Sequence, residues 1–139
     1  FIVVLTVLIG GLIWSNNVDP SNAIDVSNNS EKVSPAITTS SSPQKVKFAK
    51  FLTDNKFKMY SAYWCPHCHD QKQLFGKKAV KELIVVECAK DGKDNQYKLC
   101  KEKQIEGFPS WEINGEIYSG VKDLNDLAIM TGYEGDSNF

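Results

Sequence analysis

An α/β fold of element order βαβαββα, preceded by one extra helix, is what this sequence predicts, and three observations carry the prediction. An apolar, β-prone run at residues 56–62 leads into Cys65-Pro66-His67-Cys68, and a helix-compatible run follows at once. Leu74, Phe75, Ala79, Val80 and Leu83 then recur on one side at helical spacing and give way to Ile84-Val85-Val86-Glu87-Cys88, a second strand. Further on, residues 111–113, Asn114-Gly115 and residues 116–119 form the pattern of a hairpin with a type I′ turn.

The chain divides into three parts. Residues 1–14 are apolar and carry no charge, and Trp14 suits a membrane–water interface. The run is shorter than the roughly 20 apolar residues of a full span. It reads as a membrane segment, either part of a transmembrane helix or an anchor, with a trimmed signal-peptide core as the rival. No Lys or Arg follows before Lys32, which places this flank on the exported side by the positive-inside rule. Residues 15–42 are rich in Ser, Asn, Thr and Pro and hold few large apolar groups, the composition of a flexible linker. Residues 43–139 carry the folded domain. A net charge of −1 offers no electrostatic reason to expect a nucleic-acid partner.

Within the domain, Ser42-Pro43 is a helix-start signal, and Val46, Ala49 and Leu52 give the first helix a short apolar face. After the strand at 56–62, the helix that begins at Pro66 should run to about Leu83, with Gly76 interrupting it for packing or for function. Lys72, Lys77, Lys78 and Lys81 read as its solvated face, and His69 as exposed. The strand at 84–88 should lie parallel to the first by the right-handed crossover rule. A short helix over 95–103 places Leu99 inward. Trp111 and Tyr118 read as core or cross-strand partners. Asp123 and Asp126 resemble a capping box for a last helix with Leu124, Leu127 and Ala128 inward, stopped at Gly132. Residues 133–139 read as a polar tail.

The chemistry centres on Cys65 and Cys68. Cys65 falls at the N-cap and Pro66 at the first helical position, where a missing N–H costs nothing. An ionised sulfur on Cys65 would face unpaired N–H groups and the positive end of the helix dipole. Cys68, one turn later, is close enough to close a small disulfide ring. Cys65 is therefore the expected attacking sulfur and Cys68 the resolving one. Pro66 and His67 are the tuning residues, His67 by lying near the sulfur anion on the first turn. A zinc site using these two cysteines with Cys88, Cys100 or a histidine is the competing reading, but the second pair lacks the close spacing of zinc modules, and no metal is expected. Cys88 and Cys100 lie on a strand end and the helix after it. A disulfide between them is feasible and would contribute roughly 3 kcal/mol in the chain-entropy model; two buried thiols or a second redox relay are the alternatives.

In its strand–turn–helix setting, Cys65-Pro66-His67-Cys68 is the redox motif of the thioredoxin fold. Gly107-Phe108-Pro109-Ser110 stands where such folds carry a cis-proline. Pro109 would then rest against the cysteine pair, and Phe108 would offer its backbone to an extended substrate segment. The resemblance is closer still. Residues 63–69, Val86-Glu87-Cys88-Ala89, residues 107–115 and Tyr118-Ser119-Gly120-Val121 look like the thioredoxin-like (DsbA-like) domain attached to vitamin K epoxide reductase homologues of photosynthetic organisms and bacteria. It covers about residues 43–133.

That resemblance implies an exported thiol–disulfide oxidoreductase that oxidises cysteines of substrate proteins and passes the electrons to a vitamin K epoxide reductase-like membrane domain, which reduces a quinone. It implies Cys65 and Cys68 as the redox pair, Pro109 as the cis-proline and Cys88–Cys100 as a second disulfide. It implies no cofactor in this domain, the quinone belonging to the membrane partner. The expected setting is the face of a membrane toward an oxidising exported compartment, periplasm or thylakoid lumen. Potentials on this fold run from about −270 mV for thioredoxin to about −120 mV for DsbA, and a stabilised thiolate moves a pair toward the oxidising end. The alternatives are a reductase or isomerase on the same fold, or a non-catalytic zinc-binding or substrate-docking module.

Overall fold

The computed structural model describes residues 32–139. The apolar run at 1–14 and residues 15–31 of the expected linker lie outside them. Among the described residues no helix is long and apolar enough to cross a membrane. The chain forms α1 (Pro43–Asp54), β1 (Lys58–Ser61), α2 (Pro66–Ala79), a 3₁₀ turn over Val80–Glu82, β2 (Ile84–Glu87), α3 (Tyr97–Glu102), β3 (Ser110–Ile113), β4 (Glu116–Ser119) and α4 (Leu124–Thr131). The four strands make one sheet in the order β2-β1-β3-β4. β1 is parallel to β2 and antiparallel to β3, so β1 is a central strand and the β1–α2–β2 crossover ends on the edge strand β2.

Alternation along the strands divides the side chains between the two faces. Met59, Trp111 and Ile113 point to one face, where Phe48 and Leu52 of α1, Phe75 of α2 and Leu127 of α4 cover them. Tyr60, Val86 and Ile117 point to the other, with Leu99 and Cys100 of α3. Trp111 is buried opposite Tyr118, whose ring is half exposed.

Local chemistry explains where the elements start and stop. The Ser42 hydroxyl accepts from Lys45 N at 3.1 Å and Pro43 occupies the first turn of α1. Asp123 caps α4 through Asn125 N at 2.9 Å, and Gly132 ends it in the left-handed region. Asn114 and Gly115 both have positive φ, at 51° and 84°, as a type I′ turn requires.

Three expectations are corrected. The first concerns the end of α2: Gly76 interrupts the helix as expected, with φ 86° and ψ 172°, but the helix ends at Ala79, short of Leu83. The second concerns the Ser/Thr-rich residues 32–42, which form a strap laid along α2 instead of a flexible linker. The Thr39 hydroxyl donates to Gln73 O at 2.6 Å, and Thr39 O accepts from Lys77 N at 3.0 Å. The Ser41 hydroxyl donates to Phe75 O at 2.8 Å and accepts from Ala79 N at 2.9 Å. These are the groups that an uninterrupted helix would have paired with one another. At its N-terminal end Lys32 pairs with Asp91 at 2.5 Å, and Lys32 O accepts from Lys93 N. Composition misled because the strap is held by hydrogen bonds to a broken helix and needs no apolar core of its own. The third correction concerns the tail: the rings of Tyr133 and Phe139 pack 4.8 and 5.0 Å from that of Phe48.

Gly76 permits this arrangement twice over. A Cβ there would stand 2.3 Å from Ser40 O, and its φ is one that L side chains rarely adopt. Gly76→Ala should therefore destabilise the domain by about 1–3 kcal/mol or more, read as a lowered urea midpoint. A second prediction concerns Glu112, buried on the sheet and bonded to the Tyr60 hydroxyl at 2.6 Å and Lys103 Nζ at 2.7 Å. Burial alone would raise this carboxyl; the Lys103 and Tyr60 hydrogen bonds outweigh it and hold it below the ordinary carboxylate range. A depressed folded-state pKa means stability present above the unfolded value and lost as pH falls through the folded one. Glu112→Gln should cost about 1.5–3 kcal/mol at neutral pH, and its deficit relative to wild type should shrink below about pH 4 in urea titrations.

Candidate active site

β1 brings the chain through Ala62, Tyr63 and Trp64 to Cys65, which caps α2 with extended backbone, φ −83° and ψ 117°. Pro66 sits in the first turn. The Cys65 sulfur accepts from Cys68 N at 3.4 Å, the helix-start contact that the spacing predicts. It also donates to Phe108 O at 3.6 Å across the site. Both cysteines are free thiols here, Cys65 at 6% and Cys68 at 1% exposure. Burial pushes the Cys68 thiol up to about 11; the Ser61 hydroxyl pulls against that rise and the neighbouring Cys65 adds to it. Cys68 therefore holds its proton at neutral pH.

The Phe108–Pro109 peptide bond is cis, and Pro109 is fully buried. Phe108 is thus brought beside Cys65. Trp64, not singled out from sequence, is 60% exposed and sets its ring edge-on to Phe108 at 6.1 Å. The two rings give the rim next to Cys65 an apolar surface. His67 is exposed and its Nδ1 lies 3.9 Å from Asp70 Oδ2. His69, expected to be exposed, is half-buried: its Nε2 lies 3.1 Å from Gln73 Nε2, and its Nδ1 is buried without a hydrogen-bond partner.

Two charged side chains join the site that sequence reading passed over. Glu87, at the end of β2, accepts from Tyr63 N at 3.2 Å and Ala89 N at 2.8 Å through one oxygen. Gly92 makes room for it, since a Cβ there would stand 2.7 Å from Glu87 Cγ. Lys72, read as solvated, is only 7% exposed, and its Nζ donates to the Ser34 hydroxyl of the strap at 2.8 Å. Burial lowers its pKa, while the charges of Cys68, Glu87 and Cys65 act to raise it. The signal was present in the spacing: Cys68 and Lys72 are four residues apart, on one face of a helix.

Cys88 and Cys100 form a disulfide between the end of β2 and α3, with Cα atoms 5.8 Å apart. It packs with Tyr60 and Val86 on the sheet face opposite the Cys65–Cys68 side. Cys88 and Cys100, which the zinc reading offered beside a histidine as partners for Cys65 and Cys68, are thereby committed. Among the described residues no group of three or more His, Cys, Asp or Glu is gathered to hold a metal ion.

A mixed four-stranded sheet, with one cysteine capping the helix after a central strand and a cis-proline facing it, fits a thioredoxin-like dithiol domain. No protein-family model matches the chain. It is similar to Thiol-disulfide oxidoreductase LTO1 of Arabidopsis thaliana, with 47% identity over 100 residues, 70% of this chain. The match spans 27% of the length of that relative.

The burial of Cys68 gives a measurable asymmetry. In the folded protein Cys68 should alkylate slowly at pH 7, with its rate still rising between about pH 9 and 11, as thiolate-limited reaction requires. Iodoacetamide labelling followed by peptide mass analysis reads the two cysteines separately. Equal rates at both sites across that range would contradict the assignment.

Proposed function

We propose that this domain is a thiol–disulfide oxidoreductase that oxidises cysteines of exported proteins, with Cys65 as the exchanging sulfur and Cys68 as the resolving one. The observation that carries the proposal is the start of α2. The Cys65 sulfur caps the helix within reach of Phe108 beside the cis-proline, while Cys68 lies behind it, buried and protonated. The name of the Arabidopsis relative supports the same class of reaction.

In the oxidised enzyme a substrate thiolate attacks the Cys65 sulfur, the Cys65–Cys68 bond breaks, and Cys68 leaves and takes up a proton. The mixed disulfide at Cys65 is then attacked, on its substrate sulfur, by a second substrate thiolate, which releases Cys65. The substrate loses two electrons and the pair gains them. The backbone of Phe108 and the exposed ring of Trp64 supply an edge and an apolar rim for an extended substrate segment. The Cys88–Cys100 disulfide suits an oxidising compartment. The electrons pass on to a vitamin K epoxide reductase-like membrane partner whose quinone is the final acceptor; residues 1–14 would keep the domain at that membrane.

Cys68→Ala cannot form the internal disulfide, so its Cys65 sulfur exchanges only with a disulfide already present in a substrate, bonding to one substrate sulfur and displacing the other as a thiol. With disulfide-bonded exported proteins it should accumulate mixed disulfides on Cys65 that are released by dithiothreitol, and Cys65→Ala/Cys68→Ala should accumulate none. Absence of adducts from Cys68→Ala in exported-protein extracts would end the assignment. Reoxidation of the reduced wild-type pair by membranes holding the quinone-reducing partner should outpace oxidation in buffer; equal rates would remove that partner from the scheme.

A further inference from the structure

Lys72 follows Cys68 by one turn of α2, and the group that holds its side chain comes from outside the sheet-and-helix unit. Cys65, Cys68 and Lys72 follow one another along one face of α2, and helical side chains lean toward the N-terminal turn, here the turn that carries the cysteines. The lysine is buried, and its one hydrogen-bond partner among the described side chains is Ser34, at 2.8 Å. Ser34 stands on the strap, between the Lys32–Asp91 pair and the Thr38 and Thr39 amides bonded to Gln73. The groups whose charge reaches Lys72 are Cys68 and Cys65 on its own helix and Glu87 at the end of β2. Glu87 is already bonded to two backbone N–H groups.

We infer that the strap is part of the redox centre: Ser34 positions the Lys72 ammonium beside Cys65 and Cys68, and that cation favours the reduced pair, which exchanges through a sulfur anion, over the neutral disulfide. Lys72 is a positioning residue in this sense and Ser34 acts through it. A buried cation acts at low dielectric, so its effect on a neighbouring sulfur anion exceeds that of a surface lysine. The inference rests on Cys65 and Cys68 being the redox pair; it does not depend on which membrane partner reoxidises them.

The test is the equilibrium of the full chain with reduced and oxidised glutathione at pH 7. Lys72→Met keeps the chain length and removes the charge; its equilibrium constant for reduction should fall at least tenfold, a potential about 30 mV more negative. Ser34→Ala should shift it in the same direction, by about two- to fivefold. Lys81→Met, which removes an exposed lysine and changes the net charge equally, should leave it within twofold. Urea midpoints measured alongside separate a loss of stability from a change of potential, since a merely structural lysine would move only the midpoint. A folded Lys72→Met with the wild-type constant overturns the inference. Ser34→Ala removes one hydroxyl from a surface strap, so it decides the strap's part even where Lys72→Met does not fold: an unchanged constant there overturns it. A wild-type pair that does not exchange with glutathione at all overturns both this inference and the proposed function, an outcome distinct from either.

Discussion

Where α2 turns at Gly76, the backbone groups on either side can no longer pair along the helix, and residues 39–41 take their place. Thr39 is inserted between Gln73 O and Lys77 N, and the Ser41 hydroxyl between Phe75 O and Ala79 N. A buried unpaired N–H or C=O costs about 1–3 kcal/mol, so the break is tolerable only while the strap is seated. The strap in turn can approach only because Gly76 has no side chain. Helix break and strap are one interaction described from two sides.

That interaction fixes the far end of the helix whose near end carries the cysteines. Gln71, fully buried between them, ties the middle: its oxygen accepts from Trp111 Nε1 and Lys122 N, and its amide donates to Lys122 O. α2 is thus held to β3 and the segment before α4 on one side, and to the strap on the other. Cys65 does not depend on its own turn alone for its position. Phe108 O meets its sulfur from the segment leading into β3, the strand that Gln71 reaches through Trp111.

The parts legible in the sequence are those where local chemistry and tertiary structure agree. Cys65-Pro66 starts a helix by capping rules alone, Asn114-Gly115 demands a type I′ turn, and the periodicity of β1, α2 and α4 matches the faces they bury. What escaped depended on partners distant in sequence. Lys72 has the composition of a solvated helix face, yet it is buried and bonded to Ser34, 38 positions away. Residues 32–42 look unable to fold because their stabilisation comes from hydroxyls and carbonyls meeting a helix break, which hydrophobic counting does not register. Tyr133 and Phe139 were hidden among polar neighbours, yet they complete the aromatic cluster on Phe48. The departures at the end of α2, at Lys72 and in the strap all lie along that helix.

The two cysteine pairs divide the work by loop length. Joining Cys65 to Cys68 closes only the first turn of α2, and in the entropy model a loop that short contributes about 2 kcal/mol, roughly 1 kcal/mol less than the longer loop. Joining Cys88 to Cys100, at a separation of 12 residues, restrains the unfolded chain more and fastens α3 to the opposite face of the sheet. A site that must be oxidised and reduced repeatedly is best placed where the bond matters least to the fold. The more stabilising bond is then free to sit where nothing exchanges with it. The burial of the two pairs in separate clusters follows from the same requirement: a thiolate generated at Cys65 is kept on the far side of the sheet from the one disulfide in its own domain that it could attack.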